Sequence, residues 1–450
     1  MQPRTFVSFP ITDFSTIKLQ MLSWASRFNI CVFLDSQHYQ PPFDSFDDLL
    51  AAGVVDSVRA SAGHALEDLR AFMSRHRDWL FGHFAYDLVK ETEPFEDGRS
   101  RGNPIGFPDL HFFVPEVVIK LKEDRVDIGS MGEDAGTIFQ AIRSMPVEPQ
   151  AGVGRLAGRD TVRVTSDSRT GEVVFQPVLS REEYIDTVEA LRQHILRGDC
   201  YEINFCQEFF SKGVAIDPLR TWSSLSQASP NPFSAYYRLD EKYLLCASPE
   251  RYLRRKGNIL LSQPIKGTAA RIPGNVREDE AAGAWLRASA KDRSENVMVV
   301  DLVRNDLSKI CLPGSVRVRE LFGVYGFPHV YQMISTIEGE LPPGIGLIEA
   351  IKASFPMGSM TGAPKRRVVE LIDRYERSSR GLFSGAVGYI TPEGGFDLNV
   401  IIRSLFYNQA SRYLSYQVGS GITFYSDAEQ EYEECLVKAA GIRKALMGLS

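Results

Sequence analysis

The sequence predicts an α+β fold in which antiparallel sheets carry helices on their outer faces. Three observations predict it. Short runs of β-branched and aromatic residues are joined by turns too brief for helical crossovers, as at Pro392-Glu393-Gly394-Gly395 and Asn408-Gln409, so consecutive strands run antiparallel. Longer segments with apolar residues at helical spacing stand between them. Hydrophobic residues fill 44% of the 450 positions, enough for a substantial core.

In chain order, strand-like runs at 30–34, 110–114 and 116–121 alternate with helical periodicity over 45–52 and 65–75. This part shows no catalytic cluster. Residues 144–172 are rich in Gly, Ser, Pro and charge, with little apolar periodicity. We therefore divide the chain into an N-terminal lobe (1–150), a linker (151–178) and a catalytic domain (179–450). The segment REEYIDTVEALRQHILR at 181–197 has helical spacing and stops at Gly198, a natural C-cap. Strands are expected at 200–210, 234–238, 243–247, 383–390, 396–407 and 413–424, and helices at 278–310, 363–376 and 428–446.

Composition excludes several classes of function. Net charge is −6, and no Lys/Arg cluster is interleaved with aromatics, so nucleic acid is not an expected partner. No apolar run approaches the ~20 residues of a membrane span, and the start lacks a charged region followed by an apolar one. The expected location is the cytoplasm. Cys31, Cys200, Cys206, Cys246, Cys311 and Cys435 form no C-x-x-C pair, which implies neither a zinc site nor a disulfide framework.

Several side chains could carry chemistry. In KDRSENVMVVDLVRND, Asp292 and Glu295 are i,i+3 neighbours on one helical face, and Glu431 and Glu434 repeat that spacing with Lys438 four residues further on. Carboxylates converging from two elements suit Mg²⁺, although the same spacing is common on solvated helix faces. The turn Met360-Thr361-Gly362-Ala363-Pro364-Lys365, the Gly419-Ser420-Gly421 segment and Arg403 in LNVIIRSL could hold an anion. Each is also an ordinary turn or strand residue. Lys266 in LSQPIKGT lies between a strand and a glycine turn, either a solvated charge or a reacting group.

Together these stretches carry a resemblance. SPER at 248–251, PIKGT, KDRSENVMVVDLVRND, FPMGSMTGAPK, SGAVGYI, NVIIRSL, GSGI and EYEECLVKA, in that order, resemble the chorismate-utilising enzymes, and among them the aminodeoxychorismate synthase branch. The match is dense over 180–446, and FGHFAYDL at 81–88 with Phe107-Pro108-Asp109-Leu110 resembles the family's N-terminal half. The resemblance implies an anthranilate synthase component I-like fold of two stacked antiparallel sheets with helices outside. It implies Mg²⁺ held directly by Glu295 and Glu434, with Asp292 and Glu431 holding metal-bound water. Tyr389, Arg403, Gly419, Gly421, Thr361 and Lys438 fall where the family grips the two carboxylates of chorismate, with Thr268, Gly362 and Ser420 beside them as substrate-binding candidates.

By the same resemblance, Glu250 in SPER is the general acid for loss of the C4 hydroxyl, and its alternative is a structural salt bridge to Arg251. Anthranilate synthases carry a small residue where this chain has Lys266; the aminodeoxychorismate branch carries lysine there. Lys266 is then a nucleophile at C2, expected to work neutral through desolvation or the metal's charge, and ammonia enters at C4 as it leaves. Isochorismate and salicylate synthases add water with a lysine at the position matching Glu202. A binding subunit without catalysis would not need Glu250, Lys266 and all four acids.

Two residues depart from relatives: Gln332, where anthranilate synthases have histidine, and Glu202, where many have glutamine. No cysteine stands in a Gly-x-Cys-x-Gly turn, so ammonia is expected from a separate glutaminase subunit, and a separate lyase is expected to act on the product. Phe33-Leu34-Asp35-Ser36 weakly resembles the family's tryptophan-site segment and fits a buried strand end equally well.

Overall fold

The structure, a computed structural model, describes residues 4–37, 39, 46–95, 101–146 and 173–447. Their strands form two sheets, and every neighbouring pair is antiparallel. The first sheet runs in the order Phe6–Pro10, Arg125–Ser130, Val117–Leu121, Leu49–Ala52, Ile30–Asp35, Phe233–Leu239, Lys242–Ser248, Ser404–Asn408, Tyr413–Ile422, Glu202–Lys212 and Gly362–Ala363. The second runs Ile265–Ala270, Val330–Glu340, Ile259–Gln263, Arg251–Lys256, Phe396–Asn399, Ala386–Ile390, Leu80–Phe84, Leu110–Val114 and Asp56–Ala60.

Side-chain alternation explains how these sheets stack. In Ile30–Asp35, Ile30, Val32 and Leu34 join a core shared with Phe81, Phe112, Leu253 and Leu398 of the second sheet. Cys31 and Phe33 point the other way, into a core with Met21, Tyr184, Leu191 and Trp222 from helices. A strand buried on both faces reads as a continuous apolar run, which is why ICVFL was legible. Residues before and after 151–172 share both sheets: Val32 pairs with Tyr237, and Gly388 with Gly82. The linker's residues 151–172 lie outside the described residues; Gln176–Pro177 pairs with Phe209 and Phe210.

Most expected elements are present. Ala65–Arg75 is a helix, and Arg181–Leu196 is a helix whose Ser180 and Glu183 form a capping box, ending before Gly198 at φ +82°. Four expectations are corrected. Residues 49–52 form a strand, not a helix, because Leu49–Ala52 is zipped between Ile30–Asp35 and Val117–Leu121; residue 45 is outside the described set. The helix expected at 278–310 is two, Val276–Ala288 and Ala290–Ser308, since Ser289 caps the second by accepting from Asp292 N. Likewise 428–446 divides into Ala428–Lys438 and Ala440–Met447. The strand expected at 396–407 is two strands in different sheets, Phe396–Asn399 and Ser404–Asn408.

Among the described residues, no helix is long and apolar enough to cross a membrane.

Candidate active site

Two crossings of the chain between the sheets create the site. Lys242–Ser248 belongs to the first sheet and Arg251–Lys256 to the second, so Pro249 and Glu250 bridge the layers. The return crossing at 400–403 lies beside it: Val400 N donates to the Glu250 carbonyl at 3.0 Å, and Ala247 N to the Arg403 carbonyl at 3.3 Å. Arg403 has φ +51°, a conformation unfavourable for a side-chain-bearing residue that turns the chain sharply here. It was expected in a strand; it stands instead on this crossing. Its guanidinium makes no hydrogen bond or ion pair among the described residues and feels the charge of Glu250, so its donors are free for an anion.

Glu250 is 4% exposed. Burial pushes its carboxyl up to about 7, with the Ser359 hydroxyl, Lys266, the Ile265 backbone and Arg403 pulling the other way. Such a group exists partly as the acid near neutral pH. The alternative of a Glu250–Arg251 salt bridge is excluded: Arg251 grips Asp397 through two 2.9 Å bonds and donates to Gln263 at 2.6 Å. A cavity beside Glu250 is lined by Pro264, Met357, Ser359 and Val400.

Lys266 lies in a β-bulge. Ile265 pairs with Ile334 but Thr268 with Gln332, so one extra residue is inserted, and Gly267 takes φ +94° with its Cα against Asp292. A Cβ at Gly267 would come within 2.9 Å of the Asp292 side chain, so only glycine lets the bulge lie on the helix Ala290–Ser308. The bulge turns Lys266 inward. Its side chain is 11% exposed and its Nζ lies 2.5 Å from Glu202 Oε1. Burial works against its charge, but Glu202, Glu295 and Glu250 outweigh burial and raise its pKa above the ordinary lysine range. Desolvation alone therefore does not hold Lys266 neutral: in this carboxylate field its charged form is favoured.

Gly421 joins this group. It pairs with Asn204 on the strand Glu202–Lys212, and a Cβ there would meet Glu202 Oε1 at 2.8 Å and Lys266 Nζ at 2.9 Å. Gly419 is equally tight against Cys206 Sγ, and its carbonyl accepts from Lys438 Nζ at 2.9 Å. Ser420 points to the opposite face, where its hydroxyl meets Tyr184 OH at 3.2 Å. Thr361 is fully buried, its hydroxyl bonded to the Met357 carbonyl, and Gly362 bridges to Ile203. Thr268 is exposed just beyond the bulge. Tyr389 is not gathered here: its hydroxyl donates to Asp47 at 3.2 Å, and its ring packs with Phe46, Trp79 and Phe81.

The acids occupy two helices. Burial raises the Glu295 carboxyl, aided by Glu202 and Glu434 and opposed by Lys266 and Lys291. Burial would also raise Glu434, but Lys438, Lys291 and Lys266 hold it low, and it pairs with Lys438 at 2.6 Å. Asp292 accepts a hydrogen bond from the Ser289 hydroxyl, and Glu431 is 4% exposed. Among the described residues, no three His, Cys, Asp or Glu are grouped closely enough to cage a metal. Glu295 and Glu434, two carboxylates from different helices that feel each other's charge, nevertheless fit a hard cation that draws few ligands from protein.

Glu202 was noticed in the sequence only as a departure. No local signal could have paired it with Lys266, 64 residues away, because Glu202 stands in the first sheet and Lys266 in the second, and they meet only once the two sheets stack. Ser359 and Asn204, whose amide donates to the Ser359 carbonyl at 2.8 Å, were missed for the same reason.

The profile of the chorismate binding enzyme family matches residues 31–444. The chain belongs to the chorismate binding enzymes. Within this family it is similar to aminodeoxychorismate synthase component 1 of Escherichia coli (strain K12), with 38% identity over 81% of this chain and 76% of that one. It is 35% identical to the chloroplastic aminodeoxychorismate synthase of Arabidopsis thaliana over 88% of its own length, but spans only 44% of that longer protein. Among solved structures, this chorismate binding enzyme resembles anthranilate synthase component I from Streptococcus pneumoniae TIGR4, with a TM-score of 0.74 and 24% identity over 91% of this chain and 95% of that one. That likeness bears out the α+β fold of two antiparallel sheets with helices outside.

Proposed function

We infer that this chain converts chorismate and ammonia into 4-amino-4-deoxychorismate through a covalent adduct on Lys266. The observation that carries the reading is the placement of Lys266 by its bulge: an amine nearly sealed from solvent, against Glu202 and within the field of Glu250. A surface lysine would show neither. Both aminodeoxychorismate synthases named above support the same reading.

Arg403 and the backbone at Gly419–Gly421 hold the substrate's carboxylates, assisted by Lys438 and Thr361. Glu250, partly protonated near neutral pH, donates to the departing C4 hydroxyl, since hydroxide leaves poorly without a proton. The Lys266 amine attacks C2, the ring's double bonds shift toward C4, and the C4–O bond breaks. Ammonia then attacks C4, the shift reverses, and the C2–N bond to lysine breaks. Glu295 and Glu434 would hold Mg²⁺ directly, and Asp292 and Glu431 through water; the bound ion supplies positive charge for the substrate's carboxylate. A separate glutaminase subunit supplies ammonia, and a separate lyase acts downstream.

Purified chain with chorismate, ammonium and Mg²⁺ should yield a product whose mass shows hydroxyl replaced by amino, and which a lyase converts to para-aminobenzoate. Chelation should abolish turnover, Mg²⁺ should restore it, and Glu295→Gln or Glu434→Gln should lower it by about tenfold or more. Fluorescent anthranilate formed without lyase would assign the chain to the ortho-aminating branch instead.

A further inference from the structure

Among the described residues, Glu202 is the carboxylate in hydrogen-bond contact with the reacting amine. Glu250 and Glu295 act on Lys266 by charge, whereas Glu202 Oε1 lies 2.5 Å from Nζ. The contact is built by the fold. Glu202 begins the strand Glu202–Lys212 and pairs with Ala363, and its carbonyl lies so close to Gly362 that a Cβ there would meet it at 2.0 Å. Gly421 clears the opposite side, its Cα lying against both charged tips. With 4% of its side chain exposed, Glu202 is not a solvated acid that meets lysine by chance.

An ammonium cannot attack carbon, and one enclosed with its carboxylate partner has a far shorter path for its proton to that partner than to bulk water. We propose that Glu202 is the catalytic base that takes the proton from Lys266 Nζ, releasing the amine that attacks C2 of chorismate, and returns it when the lysine is expelled. The inference rests on the functional reading above. The protons balance. Nζ–H breaks and Oε1–H forms on Glu202; the C2–N bond then forms as the C4–O bond breaks, and Glu250 delivers the proton that makes the leaving oxygen water. Ammonia displaces the lysine as a neutral amine, Glu202 returns its proton to Nζ, and Glu250 recovers one from the new C4 ammonium. The sum is chorismate plus ammonia giving aminodeoxychorismate and water.

This arrangement has a signature that a purely structural ion pair lacks. A proton passed within the pair leaves the site's charge unchanged, so the fraction of free amine is independent of bulk pH; without the carboxylate, the proton must leave to solvent. Single-turnover loading of Lys266 is measured by peptide mass with excess Mg²⁺ and no ammonia, across neutral pH, for wild type and folded Glu202→Gln. The Glu250 limb is common to both and cancels in the ratio of rates. The ratio of variant to wild type is expected to climb about tenfold per pH unit. A ratio constant with pH would overturn the proposal. Glu202→Asp keeps a carboxylate and should give a constant ratio with a slower rate, so a climbing ratio there also overturns it, even if the glutamine variant does not fold. Wild-type turnover with no adduct on Lys266 would overturn the functional reading itself, and the proton acceptor with it.

Discussion

Gln332 carries its amide into a fully buried position where neither Oε1 nor Nε2 finds a partner among the described residues. An unsatisfied buried amide costs about 1–3 kcal/mol. Gln332→Leu, of similar volume, is therefore expected to raise stability by about that amount, seen as a higher denaturant midpoint with unchanged slope; a lower midpoint would show that the amide is satisfied in solution. The position pairs with Thr268, directly beyond the bulge that bears Lys266. At this scale the sequence was legible where a motif named the residue. Glu250, Lys266, Gly421 and Glu295 were found and are brought into one electrostatic neighbourhood. Glu202 was visible as an oddity without a role, since its meaning is a contact between distant strands. Tyr389 was named from its motif, yet its hydroxyl is taken by Asp47, which no local pattern connects to it.

Strand interiors were legible and their junctions were not, for one physical reason. Runs such as 110–114 and 243–247 are buried on both faces and leave a continuous apolar signal. A crossing between sheets leaves none: LNVIIRSL reads as a single strand because Val400 and Ile401 are as buried as the strand residues on either side. The change of sheet appears only in the pairing, Leu398 with Gly388 but Leu405 with Tyr416. The break at Ser289 had a local signal, a serine three residues before Asp292, but the apolar periodicity on both sides masked it. The bulge at Lys266-Gly267 was half legible. Glycine announced a turn; the inserted residue that aims the lysine inward depends on the pairing partner Val330–Glu340.

Across the whole molecule, the two sheets are joined by a buried polar chain as well as by apolar packing. His83 and His111 of the second sheet both meet Tyr237 OH of the first, at 3.2 and 2.6 Å, and His83 Nε2 meets the Pro108 carbonyl at 2.9 Å. The bonds close with both imidazoles neutral: His111 Nδ1 donates to Tyr237, Tyr237 to His83 Nδ1, and His83 Nε2 to Pro108. Burial lowers His83 to about 4, with the Pro108 bond opposing and Arg59 adding to it, and burial lowers His111 to about 2, aided by His83, Arg59 and Lys242. Folded values below the unfolded value of about 6.5 mean that the unfolded chain binds more protons. Their contribution is complete above about pH 6.5 and is lost as pH falls, toward 4 for His83 and toward 2 for His111, about 3 kcal/mol for His83 alone. Denaturant midpoints should fall across that window, and His83→Gln should flatten the fall; an equal fall in the variant would place its cause elsewhere. Non-local pairing on this scale, with Ile30–Asp35 beside Phe233–Leu239, is also why the division into an N-terminal lobe and a catalytic domain does not describe how the sheets are built.

The most direct test of the central claim is the mass of the peptide bearing Lys266 after the chain is quenched in the presence of chorismate and Mg²⁺ without ammonia. A chorismate-derived adduct, less water, is expected on Lys266, discharged when ammonium is added and absent in Lys266→Ala. An unmodified peptide together with full 4-amino product formation by Lys266→Ala would contradict it.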